Sequence, residues 1–287
     1  LRTNDDLKRL AREVRKRAIR YIHASSGAHP GGSLSVADIL TALYFKVAEP
    51  QPVYQPDHPN RDIIILSKGH SFPALMATWE LLIEESHNYL DSDFISLPPW
   101  WDGGPITLRQ INSPFQGHPS LTHTPWCETS TGSLGQGFAV AVGMAYGLKQ
   151  KGQDRRVYVV LGDGELQEGI VAEVARAAAW LGLDNLTAIV DFNGLASDRY
   201  SRTIDDPVKE FRAWGWHSFD CNGHRFGALY DSLVNGPKRG NGKPTCIIAH
   251  TIKGKGVPAF ENDPDGCHGA VTLSDEDLQM TLEALDG

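Results

Sequence analysis

The segment from Val157 to Leu195, VYVVLGDGELQEGIVAEVARAAAWLGLDNLTAIVDFNGL, constrains the fold more than any other stretch. It opens on a β-branched run, Val157 to Leu161, and breaks at Gly162-Asp163-Gly164. A helical pattern follows, then a second apolar run from Leu186 to Val190 that ends in Asp191-Phe192-Asn193-Gly194. Strand, glycine turn, helix and strand form a βαβ unit, whose parallel strands belong to a buried sheet. Ligands of such sheets bind beyond the strand C-termini. Asp163 and Asn193 both fall there, one after each strand. Gly162 and Gly164 let backbone N–H groups approach an anion at the helix start. Asp163 and Asn193 supply hard oxygen ligands of the kind Mg²⁺ or Ca²⁺ takes. Alone, a GDG reads most simply as a turn. With GDG-E closing one strand and N-G closing the next, the spacing points to a divalent ion bridging the protein and a diphosphate.

The rest of the chain reads as one α/β domain over residues 1–287, with a mostly parallel sheet and helices on both faces. Asn4 or Asp5 caps a first helix whose inward face is Leu7, Leu10, Ala11, Val14, Ala18 and Ile22. The other face carries Lys8, Arg9, Arg12, Arg15, Lys16 and Arg20. With 27 basic against 35 acidic residues and a net charge of −8, that stripe reads as solvated. Nucleic acid and anionic membranes are poor partners for such a chain. His29 precedes Pro-Gly-Gly, so it is held in a rigid loop, and Ser35 is expected to cap a helix from Val36 to Val47.

Asp62 to Leu66 is an apolar strand ending in Ser67-Lys68-Gly69-His70, which brings His70 to the same sheet edge as Asp163. Residues 87–128 lack periodicity, and a loop of that length is functional or disordered. Trp100, Trp101, Phe115 and Trp126 argue against disorder. Thr131 to Gly137 leads into a helix from Phe138 to Gln150. Beyond the central unit, Asp205-Asp206-Pro207 caps a helix to Trp214, and Trp216 to Asp220 reads as a strand. A short helix covers Phe226 to Leu233, followed by a loop over residues 235–244. Thr245 to His250 is the last strand, with Lys253 and Lys255 just past it among glycines. Ser274 caps a closing helix, Asp275 to Leu285.

GDGELQEG followed by DFNGL resembles the thiamine-diphosphate motif in the form transketolases carry. HPGGSLSVADIL, SKGH, QGHP, TGSLGQG and CHG resemble further transketolase segments, so the likeness covers almost the whole chain. It implies the thiamine-diphosphate-binding fold, with thiamine diphosphate and Mg²⁺ (or Ca²⁺) as cofactors. By this resemblance Asp163, Asn193 and the backbone carbonyl of Leu195 hold the metal. His70, Gly162, Gly164, Glu165, Lys253 and His268 lie around the cofactor diphosphate. Gly132, Ser133 and Leu134 touch its pyrimidine ring. His29, His118 and His268 are the catalytic candidates; His29 and His118 are the ones for proton transfer at substrate hydroxyls, because a histidine pKa can lie near neutrality. Glu168 matches a glutamate that hydrogen-bonds across the family's dimer.

The activity so implied moves a two-carbon ketol unit from a ketose to an aldose or related aldehyde. Three alternatives stand beside it: a 1-deoxyxylulose-phosphate synthase or decarboxylase subunit, a specialised biosynthetic two-carbon transferase, and a scaffold subunit with a dead site. The family's pyrimidine-binding and C-terminal domains find no counterpart before Gly287. The expectation is therefore a partner chain carrying both, in an α₂β₂ assembly that takes sugars or sugar phosphates. Four cysteines without metal or disulfide spacing read as free thiols in the cytoplasm. No membrane span and no signal peptide are expected.

Overall fold

The computed structural model describes residues 2–25, 27–48, 58–87, 107–195, 205–267 and 269–287. Its centre is a five-stranded sheet of β1 (Ile63–Leu66), β2 (Val157–Gly162), β3 (Leu186–Phe192), β4 (His217–Asn222) and β5 (Thr245–His250). The spatial order is β1-β2-β3-β5-β4 and every neighbouring pair is parallel. The register sets Gly162 opposite Asp191, so the β2 and β3 ends that carry the glycine motifs lie side by side.

Both faces are covered, and alternate residues of each strand sort between two cores. Ile64, Leu66, Tyr158, Val160, Ile189, Ile247 and Ala249 face a core built with α1 (Asn4–Ala24), α2 (Pro30–Ala42), α3 (Phe72–His87) and α7 (Phe226–Arg239). Ile63, Ile65, Val157, Val159, Leu161, Ala188, Val190 and Ile248 face the other, built with α4 (Gln136–Gln150), α5 (Gly169–Trp180) and α6 (Pro207–Ala213). Each such aliphatic side chain contributes about 1.5–3 kcal/mol of burial. The continuous apolar runs of β1 and β2 follow from this two-sided cover. A short α8 (Pro258–Asn262) and the closing α9 (Asp275–Asp286) complete the chain.

Several sequence expectations are corrected. Thr3, not Asn4 or Asp5, caps α1, in a capping box with Asp6. Arg15 is not solvated but buried, because its guanidinium meets the buried Asp38 and donates to the Leu34 carbonyl at 3.0 Å. The second helix begins at Pro30, where proline suits the first helical turn, with His29 as its N-cap. Ser35 lies inside it and donates to Asp191 at 2.6 Å. The expected loop after Leu233 is helical as far as Arg239; Gly236 and Pro237 are buried, and that packing overrides their weak helix propensity. The tryptophan- and proline-rich stretch 98–105 lies outside the described residues.

Candidate active site

The C-terminal ends of β1, β2, β3 and β5 and the N-terminus of α2 converge on one cavity of about 170 Å³. Its lining includes His29, Lys68, His70, Asp163, Asn193 and Lys253, with Leu134, Gly162, Gly164, Glu165 and Leu195. Gly31 beside it is required by close approach: a Cβ there would stand 2.8 Å from the Cys267 carbonyl and 3.0 Å from Lys253 Cε.

The acidic side of the site is built from the two glycine motifs. Asp163 Oδ2 accepts backbone N–H bonds from Asn193 at 3.0 Å, Gly194 at 2.6 Å and Leu195 at 3.2 Å. Its Oδ1 accepts from Gly164 at 2.9 Å. One carboxylate thus ties the end of β2 to the end of β3. Burial, and then the nearby Asp191, push the Asp163 carboxyl above its usual range. A cation placed here would relieve that penalty. Asn193 Oδ1 accepts from the Leu195 N–H at 3.2 Å, which closes a tight turn around the same point. Among the described residues no group of three or more His, Cys, Asp or Glu could hold a metal ion. One carboxylate and one amide oxygen are the hard oxygen donors of this turn, of the type Mg²⁺ takes.

The basic side faces it. Lys68 is only 1% exposed and pairs with the fully buried Asp191, which also accepts from Ser35 and Thr251. Paired and multiply hydrogen-bonded, this buried charge is compensated. The His29 and His70 rings lie 5.3 Å apart. Burial lowers the His70 pKa well below the ordinary value, and Lys68, His29, His118 and Lys253 lower it further. His70 is therefore neutral near pH 7, with one ring N–H to offer. Burial also depresses Lys253. An anion entering between these groups would favour their charged forms against the burial that depresses them. Buried Ser71 Oγ has no hydrogen-bond partner among the described residues, and the edge of His70 lies close by across Gly32.

Residues 7–286 match the family described as "Transketolase, thiamine diphosphate binding domain". The chain belongs to the transketolase family. It is 36% identical to the 6-deoxy-6-sulfo-D-fructose transketolase subunit of Clostridium sp. (strain MSTE9), over 89% of this chain and 88% of that protein. It is also 36% identical to an apulose-4-phosphate transketolase subunit of Actinobacillus succinogenes, over 98% of this chain and 96% of that one. The solved transketolase of Campylobacter jejuni superposes with a TM-score of 0.82 at 28% identity, covering 99% of this chain and 43% of that chain. The chain thus spans nearly all of the two subunit relatives and less than half of the solved transketolase. It is the thiamine-diphosphate-binding domain of a transketolase-type transferase.

Within this transketolase domain, most of the sequence-derived residues meet at the cavity: His29, His70, Leu134, Gly162, Asp163, Gly164, Glu165, Asn193, Leu195 and Lys253. Gly132, Ser133, His118 and Glu168 do not line it, and Glu165 lines it without offering its carboxylate. The Glu165 carboxylate is turned away, accepting from Ser67, from the Gly135 N–H at 2.8 Å and from the Gly162 N–H at 3.1 Å. It braces the GDG turn against the TGSLGQG loop. Ser133 and Glu168 are exposed, and Gly132 packs beneath the His118 ring. His118 is half-buried next to Arg109, and burial and then that charge lower its pKa. Lys255 points elsewhere, to Glu261. His268 lies outside the described residues. Sequence reading passed over Lys68 and Asp191. The signal was a lysine directly after one apolar strand and an aspartate closing the strand two places away, which only a shared sheet edge joins.

Proposed function

We propose that this chain is the diphosphate-binding subunit of a split transketolase, transferring a two-carbon ketol unit from a ketose to an aldose or related aldehyde. The observation that carries the proposal is the cavity in which the Asp163–Asn193–Leu195 turn faces Lys68, His70 and Lys253. An oxygen-rich turn opposite a cationic wall fits a metal–diphosphate pair, and the family match supplies which one. Asp163, Asn193 and the Leu195 carbonyl would hold Mg²⁺, while His70, Gly164 and Lys253 would surround the diphosphate. Thiamine diphosphate, when bound, supplies a nucleophilic carbon and an electron sink that protein side chains lack.

The chain's own residues position, shield and move protons. His70 directs one N–H at an anionic oxygen, a charge-assisted bond. His29, at the N-cap of α2 and against His70, would hold or release a proton at a substrate hydroxyl, with His118 nearby on the loop side. The TGSLGQG loop, with Leu134 in the cavity wall, would cover the pyrimidine side, and exposed Glu168 would bond across a dimer interface.

The same proposal includes a partner chain with the pyrimidine-binding and C-terminal domains, in an α₂β₂ assembly around a two-fold axis. Subunit names borne by relatives that this chain matches nearly end to end support it. The cytoplasm is the proposed location, in keeping with four free cysteines. None of the described helices is long and apolar enough to cross a membrane. The test is to assay ketol transfer by this chain alone and with its partner, at saturating thiamine diphosphate and Mg²⁺. Turnover should need both chains, and Asp163→Ala should abolish Mg²⁺-dependent cofactor binding in calorimetry. Robust turnover by this chain alone would refute the split arrangement. Wild-type affinity in Asp163→Ala would refute the metal assignment.

A further inference from the structure

Behind the cavity wall, a chain of buried polar groups ends at the backbone next to Lys253. Arg15 of α1 and Asp38 of α2, both buried, form an ion pair, and Arg15 also donates to the Leu34 carbonyl at 3.0 Å. Asp38 Oδ2 lies 2.6 Å from Nδ1 of His224, in the turn after β4. The other ring nitrogen, Nε2, accepts the Ile252 N–H at 2.9 Å, in the turn after β5. Although burial pushes Asp38 up, Arg15 and His224 hold its carboxyl below the usual carboxylate range. Asp38 is therefore an ionised acceptor, which requires Nδ1 to carry the proton and leaves Nε2 bare. A second proton on the ring would set Nε2–H against the Ile252 N–H, donor against donor. The geometry fixes one neutral tautomer.

Ile252 immediately precedes Lys253, whose side chain lines the cavity. The turn they share is pinned at two further points. The Thr251 N–H donates to the Phe192 carbonyl at 3.0 Å, and the Gly254 N–H to the Gly31 carbonyl at 3.1 Å. These bonds hold the flanks of the turn, and His224 holds its middle. Glu261 is a further charged group near His224; its carboxylate is engaged with Lys255 and the Gly256 N–H.

We propose that His224 is a positioning residue: anchored by Asp38, it accepts the Ile252 N–H and so sets the point from which Lys253 reaches the cofactor anion. Arg15 and Asp38 carry that position back to α2, the helix whose first turn bears His29, Gly31 and Gly32. One rigid connection thus joins the histidine and lysine sides of the cavity. Losing the acceptor hands the exposed Ile252 N–H to water and leaves the turn free to shift.

This inference rests on the diphosphate reading of the cavity, and the experiment separates the two. Thiamine diphosphate binding, with Mg²⁺ present, is measured by calorimetry on the chain with its partner subunit. The proteins are wild type, His224→Leu, Lys253→Ala and the double variant, with His224→Gln as the conservative replacement. His224→Leu should bind about three- to tenfold more weakly, the scale of one lost hydrogen bond that held the turn. His224→Gln, whose amide can accept from Ile252 and donate to Asp38, should recover most of the affinity. In the Lys253→Ala background, His224→Leu should have little further effect, because its influence runs through Lys253. Should His224→Leu not fold, His224→Asn replaces it, being able to reach Asp38 but too short for Ile252. Histidine nitrogen chemical shifts provide a second readout and should show the Nδ1–H tautomer at His224. Wild-type affinity in His224→Leu, an equal loss with and without Lys253, or the Nε2–H tautomer would overturn the positioning role. Unchanged affinity in Lys253→Ala would instead overturn the diphosphate reading itself.

Discussion

Gly135→Ala tests how the TGSLGQG loop is locked to the glycine turn of β2. Gly135 has φ +79°, in the left-handed region, and its N–H donates to buried Glu165 at 2.8 Å. An alanine there meets two separable costs. The left-handed backbone costs an L-residue about 1–2 kcal/mol. The added Cβ would stand 2.3 Å from Ile170 Cγ2, 3.4 Å from Val171 Cγ2 and 3.5 Å from Glu168 Cβ. The first distance is far inside van der Waals contact, so the first turn of α5 must move, at about 1–3 kcal/mol for overpacking. Together these predict a loss of roughly 2–5 kcal/mol. Urea denaturation reads it as a lower midpoint at constant m. Repeating the substitution in an Ile170→Ala background removes the overlap and leaves the backbone part, so the cost should fall to about 1–2 kcal/mol. A loss below about 0.5 kcal/mol, the range of a featureless surface change, would refute the argument. So would an equal loss in both backgrounds.

Other outcomes follow from the buried charges. Lys68→Met leaves Asp191 buried without its cation and should cost about 3–5 kcal/mol of stability in urea denaturation; Arg15→Met should do the same through Asp38. The Asp163 carboxyl is raised in the folded chain, so its contribution is complete below its ordinary value of 3.8 and is lost as pH rises through the raised value. Without Mg²⁺, the stability difference between Asp163→Asn and wild type should therefore move in favour of Asn as pH rises from 3.8 through the raised value; a flat difference would contradict the assignment. His29→Ala should lower kcat of the reconstituted enzyme by about a hundredfold, the lower range of general acid–base effects, with thiamine diphosphate affinity kept. Unchanged turnover would return His29 to a purely structural place.

The legible parts of this molecule are those where local chemistry and tertiary environment agree. Apolar runs stopped by glycine mark β1, β2, β3 and β5 to within two residues, because strands buried on both faces need little else. Asp163, Asn193 and His70 are readable because each directly follows such a run, and parallel strands bring their ends together. What escapes is whatever depends on a partner distant in sequence. Arg15 sits on a face that periodicity assigns to solvent, and only Asp38, supplied by another helix, explains its burial. Glu165 looks like a ligand from its place in GDGE, yet Ser67, Gly135 and Gly162 occupy its carboxylate. His224 has no local signal, since its two partners come from α2 and from the turn after β5. The α7 extension fails for the same reason: Gly236 and Pro237 argue for a break locally and are overruled by burial.

The wholly parallel sheet has a consequence for how the molecule comes to be folded. Parallel neighbours cannot be joined by a tight hairpin, so each pairing waits for a crossover to close. The longest wait falls on β1, whose Ile63 pairs with Val157 across α3, residues 88–135 and α4. Closing such a span is entropically uphill before any contact rewards it, and topologies of this kind fold slowly. Lys68 and His70 hang on that strand, whereas Asp163 and Asn193 belong to the compact β2–α5–β3 unit. The acidic half of the site can therefore form early, and the cationic half arrives only when β1 docks. Until then Asp191 has no lysine beside it, and the buried edge of β2 lies open to other chains.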